Sequence, residues 1–294
     1  MSESVSTTNG AAISAEDLRF SYGDHEAVKG ISFDIAPGEI FGFLGPNGAG
    51  KTTTIKMLTG QLQPGGGTVR ILGREVGRDD ALTQGQIGVC FEEKNLYDAM
   101  SGEENLRFFA ALYGVEELDT RALLERVGLA DRGKDRVGAY SKGMRQRLMV
   151  ARSILHQPMV LFLDEPTDGL DPVSSKAIRA IVREEAERGA AVLLTTHDMW
   201  EADELSHRVA FINEGRIYAI DTPESLKLQH GQRSVKVRRR DETGVNEASY
   251  ALDDPAVGEQ LRAAVQSEGL MTIHTEESTL ENIFVEMTGR ALEA

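Results

Sequence analysis

Disulfide chemistry is closed to this chain, because Cys90 is its only cysteine. A lone thiol excludes intramolecular cross-links and makes a reducing cytoplasm the expected compartment. Long apolar runs are also missing. The longest, such as "MVLFL" and "AAVLL", fall far short of the roughly 18 residues that mark a membrane span. No charged-then-apolar leader opens the chain; residues 1–14 are rich in Ser, Thr, Gly and Ala and read as a disordered tail. Positive charge is scarce, with 32 Lys and Arg against 47 Asp and Glu, a formal net charge of −15. A field of that sign disfavours non-specific contact with nucleic acid or anionic lipid. What is present is enough for a real core: 294 residues, 40% of them apolar, fit one large domain with an appendage.

Apolar runs predict strands near 17–22, 31–35, 39–44, 68–72, 86–91, 159–163, 190–195, 208–212 and 215–219. Between the fifth and sixth, from about 103 to 156, helical periodicity dominates, as in "ENLRFFAALYG" and "TRALLERVGLA". This is an α/β pattern with a helical insertion, over about 95–156, inside a domain expected to span 15–225. The pattern pauses near Thr222-Pro223, and a smaller βαβα-like α+β segment is expected over 226–294. Its last helix has Ser278 and Glu281 at capping-box spacing, then Leu280, Ile283, Phe284 and Met287 on one face. "VKVRRR" alternates Val with cations, which suits a half-exposed edge strand better than a nucleic-acid contact.

The strongest local signal is "FGFLGPNGAGKTTT". Gly45 and Gly50 bracket Pro46, Asn47, Gly48 and Ala49; Lys51, Thr52 and Thr53 follow, after an apolar strand and before a helix. Glycines let successive N–H groups turn inward around phosphate oxygens, and the helix N-terminus adds positive potential. In such a loop Lys51 reaches the β- and γ-phosphates and the Thr52 hydroxyl ligates Mg²⁺. "MVLFLDEPTDGLD" places Asp164 and Glu165 at the C-terminal end of another strand, where ligands sit in open α/β sheets. Asp164 suits the Mg²⁺ shell, and Glu165 is placed to accept the proton of an attacking water. In "VLLTTHDMWEADEL", His197 ends a strand able to run beside the one bearing Asp164, as a γ-phosphate contact or water organiser. The other histidines, His25, His156, His207, His230 and His274, read as structural.

Together these motifs resemble the nucleotide-binding subunit of ATP-binding cassette (ABC) transporters, from about Leu18 to Asp221. "YSKGMRQRL" stands where that family has its signature, usually LSGGQ, upstream of Asp164. The resemblance implies that Ser141, Lys142, Gly143 and Met144 close over ATP held by another subunit. Ser141, the Gly143 N–H and the helix dipole would then form a second anion clamp. The match has departures: Tyr140 stands where Leu is usual, Lys142 where the first glycine is usual and Met144 where Gln is usual. Lys142 either adds charge near the phosphates or faces solvent, and solvent is the favoured reading. Glu92, in "IGVCFEEKNLY", occupies the place of the family's Gln; it can ligate Mg²⁺ but cannot donate unless protonated. Tyr22 resembles the aromatic that stacks on adenine. Asp168, Gly169, Leu170 and Asp171 fit the loop linking two sites across a dimer.

The resemblance implies a P-loop ATPase using ATP and Mg²⁺, either a homodimer or a heterodimer with a related ATPase. It would dock on separate transmembrane permease subunits at the cytoplasmic face of the membrane. The tail "STLENIFVEMTGR" resembles the ends of ATPases in drug- and antibiotic-exporting systems, which makes export the expected direction. Its acidic polar face favours packing on protein over lipid. The rival is a soluble ABC ATPase acting on ribosomes or DNA. It is weakened by the single phosphate loop and by the absence of long coiled coils. A non-catalytic ATP sensor is disfavoured by the presence of both Glu165 and His197.

Overall fold

The computed structural model describes residues 10–77, 84–91, 95–231, 234–241, 244–252, 254–276 and 278–289. The three most continuous apolar runs become β3 (Ile40–Leu44), β7 (Val160–Asp164) and β8 (Ala191–Thr196), each buried along its whole length. With β6 (Ile87–Cys90), β9 (Arg208–Asn213) and β10 (Arg216–Asp221) they form a six-stranded sheet ordered β10-β9-β3-β8-β7-β6. Every pairing is parallel except β9 with β10. Successive side chains leave a strand on opposite faces. Phe41, Phe43, Phe162 and Leu193 enter one core, while Leu161, Leu163, Val192 and Leu194 enter the other. A sheet covered on both faces needs no polar alternation, which is why these strands read as unbroken apolar runs.

The first core also takes in an antiparallel sheet ordered from β2 (His25–Ile35) through β1 (Ile13–Tyr22) and β4 (Gly66–Ile71) to β5 (Arg74–Glu75). Helix α1 (Lys51–Leu58) contributes Ile55, Met57 and Leu58 to it. The tail expected through residue 14 is therefore too long. Ala12 and Ile13 are already buried in this core, and Ile13 pairs with Ile35. The second core is built by the helices between β6 and β7: α2 (Gly102–Leu112), α3 (Thr120–Arg126) and α4 (Lys142–Ile154), through Leu106, Leu124, Leu148 and Met149. Each has a side-chain cap: Ser101, which forms a full capping box with Glu104, then Asp119 and Ser141. Helices α5 (Pro172–Glu187) and α6 (Met199–Leu205) follow β7 and β8, capped by Asp171 and Asp198.

The chain divides into two compact units between Asp221 and Thr222. The smaller contains α7 (Pro223–His230), β11 (Ser234–Asp241), β12 (Gly244–Ala251), α8 (Val257–Gln266), β13 (Leu270–Glu276) and α9 (Leu280–Thr288). Three expectations change here. The pause at Thr222-Pro223 is a helix start, with Thr222 accepting from the Ser225 N–H and Pro223 in the first turn. Strand β11, which carries "VKVRRR", is the central strand of a sheet ordered β12-β11-β13. Val235 and Val237 are buried with Ala264, while Arg238 and Lys236 pair with Glu247 on the neighbouring strand. The final helix is capped by Thr279, not Ser278, and packs Leu280, Ile283 and Phe284 inward.

Candidate active site

Strand β3 runs out into the glycine-rich loop, and the loop turns directly into α1. Glycine is required at both ends. A Cβ at Gly45 would collide with the Ile212 carbonyl; Gly50, at φ +104°, would put one 2.8 Å from the Ala27 carbonyl. Gly50 caps α1 without any side-chain acceptor, and the first turn contains no acid. The leading N–H groups of α1 thus keep their affinity for an anion. Lys51 is only 6% exposed; its Nζ donates to the Gly45 carbonyl at 2.5 Å and stands 3.3 Å from Glu165 Oε1.

Parallel pairing sets Asp164 opposite Thr195. Asp164 Oδ1 accepts from Thr195 Oγ1 at 2.5 Å, and Oδ2 accepts from Thr52 Oγ1 at 2.8 Å. The hydroxyl of the phosphate loop and the carboxylate of β7 thus share one small volume. Glu165 then leaves the strand in the left-handed region, at φ +49°. Its N–H reaches the Thr195 carbonyl at 3.1 Å and hydroxyl at 3.2 Å, and its carbonyl accepts from Gln146 Nε2 at 3.3 Å. The bend aims the carboxylate at two partners. Oε2 lies 3.0 Å from His197 Nδ1, and Oε1, near Lys51, is buried without an aligned hydrogen bond. A neutral His197 donating from Nδ1 to this carboxylate keeps Nε2 as an acceptor.

Lys51, Thr52, Asp164 and Glu165 line a cleft of about 250 Å³ together with Tyr22, Pro46, Asn47, Gly48, Gly50 and Thr53. Tyr22 stands at the mouth, half exposed and edge-on to Phe20 at 4.9 Å. His25, read from the sequence as structural, lines the cleft as well. His156 and His207 do serve the fold: Nε2 of the first meets the Ile87 carbonyl at 3.0 Å, and Nδ1 of the second accepts from the Ile40 N–H at 2.9 Å. Mg²⁺ fits the donor set. It keeps waters and phosphate oxygens and takes only one or two protein oxygens, as Thr52 and Asp164 offer. Among the described residues no cluster of three acids, histidines or cysteines suits a metal held by protein alone. Glu92 lies outside the described residues.

Ser141, Lys142, Gly143 and Met144 do not line this cleft. Ser141 caps α4, its Oγ accepting from the Met144 N–H at 3.2 Å. Gly143 lies against Leu170; a Cβ there would come within 3.1 Å of the leucine side chain. Lys142 is exposed and outside the cleft, as the favoured reading expected, and it also has a partner. Its Nζ donates to Asp168 Oδ2 at 2.6 Å, tying the signature stretch to the Asp168–Asp171 loop of the same chain. Asp171 caps α5, accepting from the Ser174 hydroxyl at 2.6 Å and from the Ser174 and Val173 N–H groups, both at 3.0 Å; the hydroxyl bond first, then the N–H bonds, hold its carboxyl below the usual range. Sequence reasoning missed Thr195 and Gln146, which meet Asp164 and Glu165 only after strand pairing and helix packing.

The family model described as ABC transporter matches residues 28–168. The fluoroquinolones export ATP-binding protein of Mycobacterium tuberculosis (strain ATCC 25618 / H37Rv) is 45% identical over 94% of this chain and 92% of its own. The linearmycin resistance ATP-binding protein of Bacillus subtilis (strain 168) is 32% identical over 95% of this chain and 99% of its own. A solved ATP-binding subunit of an ABC transporter superposes with a TM-score of 0.70 at 30% identity, covering 74% of this chain and 92% of that one. A dimeric ATP-binding cassette with ADP and Pi shares the fold, at TM-score 0.66 and 22% identity, over 71% of this chain and 98% of its own. Loop and paired acids occur here in one cleft, with His197 against Glu165, on the fold of these relatives, and the chain belongs to the ABC transporter family as one of its ATP-binding subunits.

Proposed function

We propose that this chain hydrolyses ATP to ADP and phosphate to drive export of a cargo through separate transmembrane subunits. Two such cassettes would close on two nucleotides at the cytoplasmic face of the membrane. Among the described residues no helix is long and apolar enough to cross a bilayer, and in this reading other chains supply the pathway for cargo. The names of the relatives, which speak of fluoroquinolones export and linearmycin resistance, favour export over a ribosome or DNA role.

The observation that carries the hydrolytic reading is Glu165, held between Lys51 and His197 with a buried acceptor oxygen free of aligned hydrogen bonds. The α1 N-terminus and Lys51 bind the phosphates. Tyr22 offers a ring face to the base. Thr52 and Asp164 would hold Mg²⁺, which supplies charge neutralisation at the phosphate oxygens. Glu165 takes the proton of the attacking water, and His197 orients that carboxylate through Nδ1; only with a second proton, on Nε2, would its ring also donate to the terminal phosphate. Ser141 and Gly143, outside their own cleft, would serve the nucleotide of the partner subunit. Glu165→Gln keeps the shape and loses the basic oxygen, so turnover should fall about 10²–10⁴-fold. ATP should still bind, and the dimer should persist in its ATP-bound form. Steady-state hydrolysis near the wild-type rate in the purified variant would remove Glu165 as the base.

A further inference from the structure

Glu201 is a carboxylate with no part in the chemistry above and almost no access to water, at 1% exposure. It sits on α6, one turn beyond His197. Burying an acid is costly unless hydrogen bonds compensate. Burial pushes this carboxyl above the usual carboxylate range; the Thr167 hydrogen bond opposes that rise, as does Arg179 by its charge. All the hydrogen bonding of the carboxylate goes to one oxygen. Oε2 accepts from Thr167 Oγ1 at 2.7 Å and from Thr196 Oγ1 at 3.3 Å, while Oε1 has no partner.

The positions of the two threonines give the arrangement its meaning. Thr167 lies two residues after Glu165, and Thr196 immediately precedes His197. Glu165 and His197 touch at 3.0 Å, yet they belong to different strand-end loops. Upstream, the left-handed Glu165 is fixed by Thr195 through its N–H. Downstream, Gln146 Nε2 holds the Glu165 carbonyl, and the next side-chain anchor is Thr167 on Glu201. The His197 side is closed by the same group: Thr196 Oγ1 also accepts from the Asp198 N–H at 3.0 Å, and Asp198 accepts from the Glu201 N–H at 3.1 Å.

We infer that Glu201 is a positioning residue, whose single shared oxygen fastens the loop bearing Glu165 to the loop bearing His197 and fixes the contact between them. The inference rests on the reading of Glu165 as base. Glu201 touches neither the phosphate loop nor the nucleotide cleft, so its loss should spare binding and harm the chemical step. A misplacement of about 1 Å at a reacting group can cost about 10²-fold in rate.

The test is steady-state ATP hydrolysis by full-length Glu201→Ala and Glu201→Gln, with thermal unfolding followed in parallel. Glu201→Ala should lower kcat about 10- to 100-fold, with KM for ATP within about twofold of wild type. Glu201→Gln retains an amide oxygen for both hydroxyls and should recover most of that loss. A folded Glu201→Ala with wild-type kcat overturns the inference, as does a loss confined to KM or a Gln variant no better than Ala. If Glu201→Ala does not fold, Thr167→Val, which removes only the hydroxyl, should show the same split, and wild-type kcat there overturns it equally. An inactive Glu165→Gln beside a fully active Glu201→Ala refutes the positioning role alone. A fully active Glu165→Gln refutes the base reading and this inference with it.

Discussion

Glu165 combines two demands that pull against each other. Its carboxylate must sit between Lys51 and His197, and the backbone reaches that place only at φ +49°. For a residue with a Cβ this region costs about 1–2 kcal/mol. Glu165→Gly and Glu165→Ala lose the same ion pairs, but only glycine escapes the backbone penalty. Chemical denaturation should therefore find the glycine variant more stable than the alanine variant by about 1 kcal/mol, with both inactive. Equal stabilities would show that no strain is stored there. The residues visible beforehand were those whose partners are near in sequence or set by one motif. Lys51 folds back on Gly45, and the loop needs only its own glycines. Thr195 and Gln146 were invisible because they reach Asp164 and Glu165 across a strand pair and a helix contact, which leave no local pattern.

At the scale of elements, α4 has a role at each end. Its body packs Leu148 and Met149 into the second core, while Ser141 caps an N-terminus that does not line its own cleft. Ser141→Arg should therefore block closure on a partner's nucleotide yet leave binding by the single chain intact. It should also lose about 0.5–2 kcal/mol of stability with the cap. Mixed with Lys51→Ala, it gives heterodimers with one site lacking both elements and one lacking neither. ATPase activity above that of either variant alone is the expected result, and mixed dimers without any gain would place Ser141 in its own chain's site. The same scale shows where pattern reading succeeds. Unbroken runs such as Val160–Leu163 identify strands covered on both faces. It fails where alternation is ambiguous. "VKVRRR" fits an edge or a centre equally until β12 and β13 flank it, and the β12 strand, mostly polar and exposed, offers little apolar periodicity. The helix at Pro223 was hidden because a Thr-Pro pair signals a break and a helix start with the same residues.

Across the whole molecule, the lone cysteine ties the sheet edge to the catalytic loop. Cys90 ends β6, the edge strand of the six-stranded sheet, and burial pushes its thiol up to about 12. Gln146 Nε2 lies 3.8 Å from its Sγ and also holds the Glu165 carbonyl. Native protein should therefore resist maleimide at neutral pH, because the thiolate is both rare and covered. Labelling then happens only in the moments when β6 and α4 part, so its rate counts those openings. A ligand that binds the closed form makes them rarer in proportion to its occupancy. Maleimide uptake, followed by mass, should be slow without nucleotide and slower with saturating Mg-ATP; uptake as fast as a free thiol would mean that this seam stands open. The chain's single thiol is silent in the native state, and its chemistry turns the breathing of the site into a clock.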